Sequence, residues 1–240
     1  MPDGTPPPLD VLHRDDAVLA INKPSGLLVH RGTGRDRVTL IDLVRDLTRA
    51  GKAHPAHRLD RAASGVILFA LDAAVARALM ETFDRGGVRK AYLALVRGVT
   101  PDRGVIDHPL TKRDGGPRLP SVTEYRRLHS VEAEPREVSL VLALTRSGRL
   151  HQVRRHLRHI NHPLIGDANY GHCALNRGFR EKHGLCRLAL HALAVSLPHP
   201  RTGAKLTITA PLPDDLRLPL LKLGFPEETW AGLGDVFAAE

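Results

Sequence analysis

The nine residues His57-Arg58-Leu59-Asp60-Arg61-Ala62-Ala63-Ser64-Gly65 put one carboxylate directly after an Arg and a Leu, just ahead of a Ser-Gly turn and the apolar run Val66-Ile67-Leu68-Phe69-Ala70. That order describes a loop delivering Asp60 to the mouth of a buried strand, where a lone carboxylate can act as a nucleophile or a base. A hydrolase built on Asp60 and a His would need a Ser or Cys nucleophile elbow or a second positioned carboxylate, and neither is found. Histidines form a second concentration of reactive side chains: His151, His156, His159 and His162. A zinc pair on a helix wants i,i+4 spacing from one face. The intervals here are five, three and three, with no Cys or carboxylate interleaved, so no metal site is expected. No Gly-rich nucleotide fingerprint is present, and no cofactor is expected.

These residues need elements to hold them. Ala17 to Asn22 reads as a strand, closed by the turn Lys23-Pro24-Ser25-Gly26. Thr39 opens a helix with Leu40, Leu43, Val44 and Leu47 on one face and Gly51 as its stop. The strand after the Asp60 loop leads to a helix capped by Asp72 and stopped at Gly86-Gly87, then to a strand from Val88 to Val96. Val138, Leu140, Leu142 and Leu144 alternate with Ser139 and Ala143, as in a strand with one buried face. Leu150, Val153, Leu157 and Ile160 keep helical spacing behind Gly148. Leu188 to Leu197 and Leu206 to Ala210 supply further strands, and Leu216 to Leu223 a short helix with Pro219 near its start. Strands outnumber helices without regular alternation, which predicts an α+β fold: a mixed, mostly antiparallel sheet with flanking helices. Residues 1–8 read as a flexible Pro-rich lead-in and residues 9–240 as one domain, with too few residues before Leu9 for an added module in front.

The chain has 240 residues, 42% of them hydrophobic, enough for a proper core. Its net charge of +9 favours a polyanionic partner. Residues 146–187 hold nine Lys/Arg against Asp167 and Glu181, an electrostatic footprint for phosphates. Cys173 and Cys186 make no disulfide framework or CxxC pair, which suits a reducing, cytoplasmic setting, and no stretch is apolar enough to span a membrane.

Residues 57–65 resemble the HRLDxxTSG signature of RluA-type pseudouridine synthases, whose single aspartate starts the isomerisation of uridine. Ala63 departs from the family's usual Thr, which would hydrogen-bond nearby backbone and stiffen the loop. The resemblance extends to Ile21-Asn22-Lys23-Pro24-Ser25-Gly26-Leu27-Leu28-Val29-His30, whose lysine and proline shape a sheet edge beneath the site, and to Lys90-Ala91-Tyr92-Leu93-Ala94-Leu95-Val96-Arg97-Gly98, similar to the family's KxYxAxVxG strand. Gly148 to Leu157, with His162-Pro163-Leu164-Ile165-Gly166-Asp167, is similar to its GRxHQxRxHL and HPxxGD segments. Arg187-Leu188-Ala189-Leu190-His191-Ala192 resembles a later strand of structural role.

The resemblance implies the pseudouridine synthase catalytic fold with a central RNA-binding cleft, and an enzyme without cofactor. It makes Asp60 the catalytic aspartate and places Tyr92 against the target uracil. It implies an arginine paired with the aspartate, which motif position assigns to Arg154, with Arg149 as the alternative. Such a guanidinium would orient and balance the carboxylate. Arg58 inherits the role of filling the stack left by a flipped base. Arg149, Arg155 and Arg158 are the remaining RNA-binding candidates, the last two fitting a solvated basic face within reach of phosphates. The long basic loop from Gly166 to Arg187 is similar to the subgroup that modifies tRNA position 65 in the T stem. The expected partner is therefore tRNA, or alternatively rRNA, handled by a monomer. A catalytically idle RNA-binding protein on the same scaffold is the other reading, and the joint presence of Asp60, Tyr92 and Arg154 speaks against it.

Overall fold

The computed structural model describes residues 8–31, 38–48, 53–111, 115–233 and 236–237; the expected lead-in before residue 8 and the helix stop at Gly51 lie outside them. In chain order the elements are β1 (Asp10–Arg14), β2 (Val18–Lys23), α1 (Leu40–Thr48), β3 (His54–Pro55), β4 (Ser64–Ala70), α2 (Ala73–Asp84), β5 (Arg89–Arg97), β6 (Arg103–Asp107), β7 (Leu110–Thr111), β8 (Arg118–Leu119), β9 (Val122–Val131), β10 (Val138–Thr145), α3 (Gln152–His159), α4 (Cys173–His183), β11 (Leu190–Pro198), β12 (Lys205–Thr209), α5 (Asp214–Lys222) and α6 (Glu228–Ala231). Ten strands make one sheet in the order β1-β2-β4-β11-β5-β10-β9-β6, with β3 on β4 and β12 on β11; β7 and β8 pair separately. The expected mixed, mostly antiparallel α+β architecture is what the chain adopts.

The single parallel pairing among the described strands, β4 on β11, runs only through His191↔Ser64 and Ala192↔Gly65. This short seam joins two half-sheets, each covered on both faces. In the first, Val66 and Leu68 pack with Val75 and Leu79 of α2, while Ile67 and Phe69 pack with Leu40 and Val44 of α1. In the second, Leu93, Leu140 and Leu142 pack with Phe179 of α4 and Leu216 and Leu220 of α5, while Ala94, Val141 and Ala143 pack with Val153 and Leu157 of α3. Successive side chains of a strand point to opposite faces, so covering both faces turns β4 into the uninterrupted apolar run seen in the sequence.

Four expectations are corrected here. Strand β10 is buried on both faces rather than one, because α3 covers the face that Ser139 and Ala143 point to; Ser139 is satisfied there by donating to Gly98 O at 2.8 Å and accepting from Thr100 N at 3.2 Å. Helix α3 begins at Gln152, since His151 takes a left-handed conformation (φ 51°), which leaves Leu150 and Ile160 outside it. Helix α5 begins at Asp214, so Pro219 falls in its interior; the backbone bond it removes would have gone to Asp215, in the exposed first turn. Leu47 of α1 is exposed rather than on the buried face. The loop from Gly166 to Arg187 contains a full helix, α4, and β6 and β9 complete a sheet edge that periodicity did not reveal.

Candidate active site

Asp60 sits in the loop between β3 and β4, at the seam of the two half-sheets. Backbone and buried side chains hold that loop in place of the absent Thr. Ala63 N donates to Asp60 O at 3.1 Å, Gly26 N to Arg61 O at 2.8 Å, and Ser25 Oγ to Ala62 O at 2.8 Å. Ala63 itself is fully buried among Ala94, Val96 and Leu190. Lys23 lies beneath, completely buried, with its ammonium donating to Pro24 O (2.8 Å), Leu27 O (2.9 Å) and Arg61 O (3.2 Å). Burial, helped by Arg187 and opposed by Asp60, lowers the Lys23 pKa to about 7. The loop thus rests on a buried amino group tied to three carbonyls.

Across the seam, Arg154 of α3 reaches Asp60: Nη1 donates to Oδ2 at 2.8 Å. Its other edge is clamped by Asp167, with Nε donating to Oδ2 at 2.7 Å and Nη2 to Oδ1 at 2.8 Å. Burial alone would lower the Arg154 pKa; the two carboxylates outweigh it and keep the guanidinium charged. Arg154 also lies over the Tyr170 ring, 5.0 Å from its centroid. Among the described residues, Asp60 Oδ1 accepts no hydrogen bond, and the imidazole Nε2 of His151 lies 3.7 Å from it. One carboxylate oxygen is anchored and the other faces the cleft, as a nucleophile requires. His151 is turned toward Asp60 by its left-handed backbone and tied by Nδ1 to the Tyr170 hydroxyl at 3.0 Å. Burial lowers the His151 pKa despite Asp60, so the ring is neutral at pH 7.

Tyr92 and Lys90 point from the same face of β5 into a cleft of about 480 Å³, a size that suits one ligand moiety. Burial, with Asp60 adding to it, pushes the Tyr92 phenol well above its usual range, so it stays protonated. Lys90 donates to Ser147 O at 2.7 Å and lies 5.5 Å from the Phe83 ring; burial and nearby Arg149 lower its pKa to about 8. Arg58, Arg85, Arg146 and Arg149 join Lys90 and Arg154 around the cleft, against the carboxylates of Asp60 and Asp84. Cations dominate the wall, which suits a polyanion.

The cleft thus gathers Asp60, Tyr92, Arg154, Arg58 and Arg149 from the expected set. Arg58 is exposed at the rim. Arg149 points elsewhere than Asp60, with Nη2 donating to Pro120 O at 3.3 Å, so Arg154 is the partner of the aspartate. Arg155 and Arg158 do not line the cleft: Arg155 Nη1 donates to Thr111 Oγ1 at 3.1 Å, and Arg158 is exposed on the outer face of α3. A second carboxylate does stand near Asp60, contrary to the sequence reading. Asp167 is almost fully buried, however, and both its oxygens are taken by Arg154, with Oδ1 also accepting from Asn169 N and Tyr170 N; it has none free for proton transfer. His156 is likewise structural, its Nδ1 on Thr123 Oγ1 at 2.8 Å and its Nε2 on His108 O at 2.9 Å. Sequence reasoning also missed Lys90, His151 and Tyr170; the only signal was their place inside the matched motifs, or just beyond one for Tyr170.

Comparison with known proteins agrees with this geometry. The family model described as RNA pseudouridylate synthase matches residues 17–159. The tRNA pseudouridine synthase C of Haemophilus ducreyi is 41% identical over 220 residues, 84% of this chain and 90% of the relative. That of Salmonella typhimurium is 39% identical over 246 residues, covering 94% and 92%. Among solved structures, human RNA pseudouridylate synthase domain containing 4 superposes with a TM-score of 0.71 at 28% identity, over 89% of this chain and 92% of that one. The loop that bears Asp60, the strand that bears Tyr92 and the helix that bears Arg154 all fall within the matched span, and the chain belongs to the RNA pseudouridylate synthase family.

Proposed function

We propose that this protein isomerises a uridine of tRNA to pseudouridine, with the T-stem uridine at position 65 as target. The observation that carries the reading is Asp60, held on one oxygen by Arg154 and open on the other, in a cationic cleft beside the Tyr92 phenol. Relatives named tRNA pseudouridine synthase C, matching over most of both chains, supply the RNA class. A stem uridine is inaccessible, so it is flipped into the cleft at a cost of a few kcal/mol. Arg58, exposed at the rim next to the catalytic loop, fills the vacated stack. Asp60 bonds to C1′ of the ribose or to C6 of uracil, or only stabilises the separated sugar, and the N1–C1′ bond breaks; a bond to Asp60, where one forms, is broken again before the product leaves. The uracil then rotates, C5 bonds to C1′, the C5 proton leaves and N1 gains a proton, so the product is an isomer of the substrate. Tyr92, a neutral phenol, holds the base in place during the rotation and relays the C5 proton. The enzyme acts as a cytoplasmic monomer, in keeping with its two free cysteines.

Asp60→Asn tests this directly. Affinity arises from many phosphate contacts and the reaction from one carboxylate, so tritium release from C5-labelled uridine in tRNA should vanish while binding stays within a few fold. Near-wild-type turnover in the Asn variant would sink the assignment. Wild-type release from rRNA transcripts but not tRNA would redirect the reading to an rRNA substrate.

A further inference from the structure

Helix α4 is anchored on two sides. Phe179 is fully buried in the core, and the far side docks on the turn before β10, where Lys182 pairs with Glu134, His183 Nε2 donates to Glu134 O at 2.7 Å, and Gly178 abuts Pro135. The excursion that carries it closes at a tight neck: Gly166 (φ +77°) leaves no room for a Cβ, which would fall 1.9 Å from Arg187 O. Between α4 and that neck lies a pocket of about 250 Å³, lined by Arg177, Arg180, Arg187, Asn176 and both cysteines, with no carboxylate. Arg177 and Arg180 are three residues apart, on one helix face, exposed, and without an ion pair among the described residues. Several surface arginines elsewhere are paired with carboxylates, Arg201 with Asp16 and Asp72, Arg217 with Asp214 and Glu227, Arg127 with Asp102, whereas these two are not. Arg187, on the pocket wall, is committed to Asp215 and Ser64 and keeps the floor cationic.

We propose that this pocket seats backbone phosphates of the RNA substrate outside the catalytic cleft, with Arg177 and Arg180 as the two ligating side chains. This rests on the RNA-substrate reading above. Two unpaired guanidiniums over a carboxylate-free pocket match a phosphodiester, which accepts their forked donors. The seat is mechanically referred to the active site by Asn176, the residue before Arg177. Its Oδ1 accepts from Gly166 N at 2.9 Å and its Nδ2 donates to Asp167 O at 3.0 Å, so it braces the turn that clamps Arg154. An RNA held at α4 is thereby registered against Asp60.

The test compares wild type with Arg177→Gln/Arg180→Gln on a full-length tRNA transcript, by equilibrium binding across salt concentrations and by single-turnover tritium release. Two lost phosphate contacts should flatten the log–log salt slope by about 1.8 and weaken binding about tenfold to a hundredfold at 0.1 M salt. Single-turnover release at saturating protein separates weakened binding from lost chemistry, because the pocket holds no reacting atom. Unfolding midpoints report whether the variant is intact. As a second measurement, saturating tRNA should slow iodoacetamide alkylation of Cys173 and Cys186, both exposed in this pocket. An unchanged slope in the variant, or alkylation unaffected by tRNA, would overturn the proposal. Wild-type protein that binds the transcript without turnover would overturn the proposed function instead, while the slope still decides the pocket.

Discussion

Replacing Asp167 with Asn keeps the side chain's shape and removes one charge from the clamp on Arg154. In the native protein, Oδ2 accepts from Arg154 Nε at 2.7 Å, while Oδ1 accepts from Nη2 at 2.8 Å and from Asn169 N and Tyr170 N at 2.9 and 3.0 Å. An amide can keep the Oδ1 side by oxygen but must then turn its NH2 toward Arg154 Nε, donor against donor. Each charge-assisted bond contributes about 1.5–3 kcal/mol, and breaking a buried pair costs about 3–5 kcal/mol. For a chain of this size each kcal/mol moves the unfolding midpoint by about 2–4 °C, so the midpoint should fall by roughly 6–20 °C. Freed on one side, the guanidinium shifts toward Asp60 and drags that carboxylate with it; misplacement of about 1 Å costs about a hundredfold in rate. Thermal unfolding and single-turnover tritium release read the two effects. There is also a pH signature. Burial raises the Asp167 pKa, but Arg154 and the amides of Tyr170 and Asn169 outweigh it, leaving the pKa below its usual value. A depressed pKa gives stability that is present above the unfolded value of about 4 and lost as pH falls through the folded one. The stability gap between wild type and variant should therefore close below about pH 4. A midpoint within a degree or two of wild type, with a rate within threefold, would refute the clamp and leave Arg154 held by Asp60 alone.

Gly65→Ala should be among the most damaging single-methyl additions: Gly65 has φ +109° and an added Cβ would lie 2.2 Å from Ala192 O, across the only parallel pairing described, so a loss of about 3 kcal/mol or more is expected in denaturant titrations. Stability near wild type would mean that the seam can open without harm. Arg58→Ala should slow turnover strongly on folded tRNA and much less on an RNA whose target uridine is already unstacked, since the stacking it replaces is then absent; equal loss on both would make Arg58 an orienting residue for the Asp60 loop. Fully buried His191, its Nδ1 on Ser64 Oγ at 2.8 Å and its Nε2 on Ala210 O at 3.1 Å, has a pKa lowered to about 4, chiefly by burial. Its unfolded value is higher, so stability should fall between about pH 6.5 and 4 by about 3 kcal/mol from this residue, and His191→Gln should flatten that part of the curve of midpoint against pH.

Apolar runs made β2, β4, β5 and β11 legible, because strands covered on both faces carry little else. The sheet edge was not legible. Strand β9 reads Val-Thr-Glu-Tyr-Arg-Arg-Leu-His-Ser-Val, and its inward positions include Thr123 and Tyr125, where polar atoms hide the alternation. Helix α4 escaped notice because only Phe179 is fully buried from it; its true markers were local, an N-capping His172 and Gly184 at the left-handed C-cap. At the site, motif spacing named residues that the fold brings together: Asp60, Tyr92 and Arg154 converge from three separate elements. What spacing could not show was the support, since a buried charge has meaning only through partners distant in sequence, as Lys23 has in Arg61 and Arg154 in Asp167.

The location of the site follows from the same physics. Where two half-sheets meet through two residue pairs, backbone groups end and side chains must complete the interface. Here they do so with buried polar groups: Lys23 under the loop on one side, and the charged Arg154 between Asp60 and Asp167 on the other. A single Asp60–Arg154 pair would leave the carboxylate neutralised by its only neighbour. Adding Asp167 shares the guanidinium between two anions, so the cluster keeps one net negative charge and its exposed end is Asp60 Oδ1. The surrounding Arg58, Lys90 and Arg149 add positive charge to the cleft without quenching that oxygen, since Lys90 is turned to Ser147 O and Arg149 to Pro120 O. On the proposed function, attraction for the polyanion and reactivity of the carboxylate thus fall to different groups within one cleft.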